Sequence, residues 1–63
     1  MLAKLNSWQR NAIAIQRFED QLSPRDKQFV NTMRWTKKKP SNDYIQRLYD
    51  IGVLVGVKME RGK

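Results

Sequence analysis

The chain has no cysteine and no histidine. The first absence excludes disulfides and thiolate metal sites. The second removes the commonest zinc ligand and the imidazole of general acid–base catalysis. The nucleophile–base pairs built on either residue go with them. Glycine is sparse. Gly52, Gly56 and Gly62 are dispersed and late, so no G-x-x-x-x-G-K-[ST] loop is present to cradle a phosphate. No apolar run approaches the roughly 18 residues of a membrane-spanning helix. The apolar patch around Lys4 is too short and broken for a signal peptide, and no segment combines a lysine-rich polar face with a long apolar one for lying on a membrane. These absences argue against an enzyme, a metal, a cofactor or a membrane partner, and for a cytoplasmic protein. Glu19, Asp20 and Asp43 read as helix-end charges in solvent rather than as a catalytic carboxylate pair.

Acidic residues are also few. Six Asp and Glu stand against thirteen Lys and Arg, for a formal charge of +7 and a pI near 10.3. Such a surplus in 63 residues favours polyanionic partners. The length allows one small domain, 1–63, whose core contributes only a few kcal/mol net.

What is present is organised around Arg34-Trp35-Thr36-Lys37-Lys38-Lys39-Pro40, which holds four of the thirteen basic residues, an indole and no carboxylate. The segments on either side read as capped helices, giving a mainly α fold. Asn6 and Ser7 are N-cap types. Trp8, Ala12, Ile15, Phe18 and Leu22 follow at helical spacing, which predicts helix 1 over residues 7–21. Ser23 is an N-cap, Pro24 suits the first helical position, and Asp26 is placed to complete a capping box. Phe29, Val30 and Met33 then predict helix 2 over 24–34. Ser41 or Asn42 caps helix 3, over 42–51, with Tyr44, Ile45, Leu48 and Ile51 inward and Gly52 as its stop. The β-branched run Val53 to Met59 reads as an extended or strand-like tail. An apolar strand without a partner recruits a second chain, so this segment is also a candidate homodimer contact. Glu60 to Lys63 reads as a frayed polar tail.

Leu22-Ser23-Pro24-x-x-x-x-Phe29-Val30-x-x-Met33, a basic gap, then Pro40-Ser41-x-x-x-Ile45-x-x-Leu48-Tyr49-Asp50 resembles a helix–basic turn–helix segment of small phage and mobile-element accessory proteins. The resemblance covers residues 22–50. It departs at Arg25, where that pattern has an acidic or aromatic residue. It implies a phage-type accessory protein acting near nucleic acid and carries over no catalytic residue.

The candidate binding residues are Arg34, Trp35, Lys37, Lys38, Lys39 and Arg47. The cations can neutralise phosphates. Trp35 lies off the apolar stripe of helix 2 and either stacks on an exposed base or folds back onto the core with its N–H on a carbonyl. Asn42, Gln46 and Arg47 offer helix 3 some groove-reading capacity, although the turn before it is long for a helix-turn-helix. Two functions follow. One is binding of DNA or RNA largely through phosphates. The other is a phage-type inhibitor or adaptor whose basic face covers an acidic surface on a host protein.

Overall fold

The computed structural model describes residues 5–59, so the lead 1–4 and the polar tail 60–63 lie outside the described residues. Three helices follow one another: α1 Ser7–Gln16, α2 Pro24–Trp35 and α3 Asn42–Leu54, with a 3-10 turn, Glu19–Gln21, between the first two. Six side chains meet at the centre, two from each helix: Ala12 and Ile15, Val30 and Met33, Leu48 and Ile51. Trp8, Leu22, Phe29, Val55, Val57 and Met59 pack around them. α1 packs most extensively on α2, less on α3, and α2 touches α3 least.

Each helix begins where a short polar side chain serves the free N–H groups of its first turn. Asn6 and Gln9 form the capping box of α1, with the Asn6 N–H donating to Gln9 Oε1 at 2.9 Å. Ser23 Oγ accepts from the Asp26 N–H at 3.3 Å, and Ser41 Oγ from the Tyr44 N–H at 3.4 Å. The Asp26 carboxylate pairs with Arg47 at 3.5 Å.

α1 ends earlier than the stripe predicts. At Arg17 and Phe18 the N–H groups reach back three residues, to Ala14 and Ile15, at 3.3 and 2.9 Å. Electrostatics supplies a reason: a continuous helix would hold Glu19 and Asp20 at its negative end. The break starts a new turn, with both acids at its beginning. Phe18 is thereby turned out of the core and lies exposed.

The strand-like tail is a correction. α3 runs through Val53 to Leu54, and among the described residues there is no strand. Gly52 lies inside the helix rather than ending it, buried where an added Cβ would run into the Met59 thioether. The stop is Gly56, at φ +79°. Its N–H donates to the Val53 carbonyl at 3.1 Å and the Val57 N–H to the Gly52 carbonyl at 2.9 Å, the paired bonds of a Schellman end. Val55, Val57 and Met59 then fold onto this chain's own core. The strand edge that motivated a homodimer through Val53–Met59 is therefore absent, and Val53 and Leu54 remain as exposed apolar side chains. No helix among the described residues is long and apolar enough to cross a membrane.

Candidate functional site

The last carbonyls of a helix need donors from elsewhere. At the end of α2 two come from Thr36, whose Oγ1 donates to the Thr32 carbonyl at 2.7 Å and whose N–H donates to that of Met33 at 3.3 Å. Three more donors come from the start of α1 and reach the end of α2 and the two residues after it. Gln9 Nε2 donates to the Arg34 carbonyl at 3.2 Å, Trp8 Nε1 to that of Thr36 at 2.8 Å, and Asn6 Nδ2 to that of Lys37 at 3.3 Å. The start of α1 thus grips the backbone from Arg34 to Lys37.

Side chains leave this gripped backbone toward solvent. Trp35, the last residue of α2, is 66% exposed, so it is not the indole that folds back. That part belongs to Trp8. The Arg34 guanidinium lies 5.0 Å from the Trp35 ring centroid, and its Nη1 donates to Gln16 Oε1 at 2.9 Å. Gln16 is held in turn by Asn31, through Nε2 to Oδ1 at 3.2 Å. A cation over an indole is attractive in its own right. Lys37, Lys38 and Lys39 follow directly, all exposed. Among the described residues none of the three is paired with a carboxylate.

Arg47 is not part of this cluster. Its guanidinium stands 4.8 Å from the Phe29 ring centroid and pairs with Asp26 in the first turn of α2, so it belongs to the other end of that helix. The outward side of α3 carries Asp43 and Asp50 as well as Asn42 and Gln46. Gln46 Nε2 donates to Asp50 Oδ1 at 2.9 Å. Two exposed carboxylates and an occupied amide suit a phosphate-lined groove poorly.

No protein-family model, curated protein or solved structure matches this chain.

The structure sets Arg34 against Trp35, leaves Lys37–Lys39 exposed just beyond the end of α2, and places Arg47 at the other end of that helix. It adds Asn6, Trp8, Gln9 and Gln16 as the residues that hold the cluster in place. Asn6-x-x-Gln9 matches the capping-box spacing, so half of that grip has a local signal. The reach of Trp8 to residue 36 has none. Among the described residues no group of three or more carboxylates is gathered as a metal site.

Proposed function

We propose that this chain is a small basic accessory protein of phage or mobile-element type, binding nucleic acid through the end of α2 and the lysine loop. Phosphate contacts dominate, and Trp35 adds a stacking surface. One observation carries the reading: an indole 66% exposed beside a guanidinium 5.0 Å away, with three unpaired lysines beginning two residues on. Fully burying a large apolar side chain is worth about 1.5–3 kcal/mol, so leaving this ring in water forgoes stability that a small core can use. Base stacking on an exposed aromatic returns about 1–3 kcal/mol and tolerates any sequence. Support for the phage-type assignment comes from residues 22–50, where helix, basic turn and helix follow in the order of the resemblance.

The test is titration of labelled random-sequence oligonucleotides across a salt series. With four phosphates neutralised, log K falls against log salt with a slope of about −2.8 on single strands and about −3.6 on duplex. Replacing Lys37, Lys38 and Lys39 by alanine flattens the single-strand slope by about two units. Trp35→Ala weakens single-strand binding by about 1–3 kcal/mol and moves stability by no more than about 0.5 kcal/mol. A triple-alanine protein with the parent's slope rules the loop out as the site. A parent that binds no oligonucleotide at low salt turns the assignment to an acidic protein surface.

A further inference from the structure

Between α2 and α3 lies a shallow groove of about 300 Å³. Arg25, Gln28, Phe29, Thr32, Tyr44 and Arg47 line it. Its chemistry is unlike that of the core. Tyr44 is 56% exposed, its ring 5.9 Å from Phe29 at 82°, edge to face. Arg47 is balanced by Asp26, whereas Arg25 is exposed and has no carboxylate partner among the described residues. The groove thus offers an aromatic wall, a free cation and the Gln28 amide, with the Thr32 hydroxyl, which donates to the Gln28 carbonyl at 3.0 Å, left as an acceptor.

Its position relative to Trp35 is the informative part. Arg25, Gln28, Thr32 and Trp35 are spaced three, four and three residues apart, all within α2. At about 100° per residue they fall within about 80° of one another, on the side away from Val30. At about 1.5 Å per residue Arg25 and Trp35 are about 15 Å apart along the axis. One open stripe therefore runs from the indole and lysines at one end of α2, past two neutral polar residues, to a second aromatic and a second cation. On one strand of a duplex 15 Å holds about four phosphates, and fewer when the strand is stretched.

We infer that the groove between α2 and α3 is a second subsite for the same single strand, with Tyr44 stacking a base and Arg25 meeting a phosphate no more than about four nucleotides from Trp35. This rests on the binding reading above and goes further in giving the strand a path and the site a length. Alternation of aromatic faces with isolated cations fits a flexible single strand, whose bases can splay. A duplex keeps its bases stacked inside and cannot use the rings.

The experiment compares oligothymidylates of about two and about eight nucleotides, lengths that cover one subsite or both. The parent binds the longer strand more tightly than added register positions explain. Arg25→Ala removes that gain and lowers the salt slope on the longer strand by about 0.7, leaving binding of the shorter one through the loop unchanged. Tyr44→Ala weakens the longer strand roughly five- to a hundredfold. Arg25 is exposed and carries the test alone should Tyr44→Ala lose its fold by circular dichroism. If Arg25→Ala binds the longer strand like the parent while the Lys37–Lys39 alanine variant loses it, the groove is overturned and the loop stands. If the parent binds neither strand, both ideas fall.

Discussion

Trp8 and Thr36, twenty-eight residues apart, are joined by a hydrogen bond from the indole Nε1 to the Thr36 carbonyl at 2.8 Å. The bond ties the first turn of α1 to the residue that ends α2. It also settles which tryptophan is structural. Trp8 lies half-buried against the core with its N–H satisfied, and Trp35 stands in solvent.

Trp8→Phe keeps most of the ring and removes the donor. The carbonyl of half-buried Thr36 is then left without its partner, at a cost of about 1–3 kcal/mol. The urea midpoint should fall accordingly. An unchanged midpoint would mean that water replaces the indole N–H without loss.

Ile15→Ala opens a cavity at a fully buried position and should cost about 2–5 kcal/mol, enough to unfold a domain this small. Phe18→Ala, on the same predicted stripe, should cost far less, because Phe18 faces outward past the end of α1. Thermal melts followed by circular dichroism separate the two. Equal losses would place Phe18 in the core after all.

Gly56→Ala tests the end of α3. Gly56 sits at φ +79°, and an added Cβ there meets nothing within 4 Å, so the penalty is purely conformational. It should be about 1–2 kcal/mol. Asparagine, which tolerates the left-handed region better, should recover part of it. An Asn variant as unstable as the Ala variant would show that something other than backbone conformation holds Gly56.

What was legible in the sequence was local. Ser23-Pro24 and Ser41 mark the starts of α2 and α3 because an N-cap acts within three residues. The ends of α1 and α3 are not legible in this way, because several local signals compete there. Phe18 and Leu22 keep helical spacing beyond α1, while Glu19 and Asp20 oppose its continuation. Gly52 looks like a stop, and Val53 and Val55 favour a strand by type. The choice depends on Met59 packing over Gly52, a contact across seven residues. At the candidate site, the adjacency of Arg34, Trp35 and the lysines is a fact of sequence. The division of labour between two indoles, and the removal of Arg47 to the groove, arise only when the helices dock.

The uneven packing of the three helices bears on how the molecule opens. α1 is the common partner, and α2 and α3 share little surface, so α3 can lift away at less cost than separating α1 from α2. Amide exchange should then be faster at Leu48 and Ile51 than at Ile15 and Val30. In that partly open form the indole and lysines keep their support from α1, while the wall built on Tyr44 is lost. A ligand gripping only the end of α2 leaves this opening untouched. One that spans both helices must suppress it, since it binds the closed form alone.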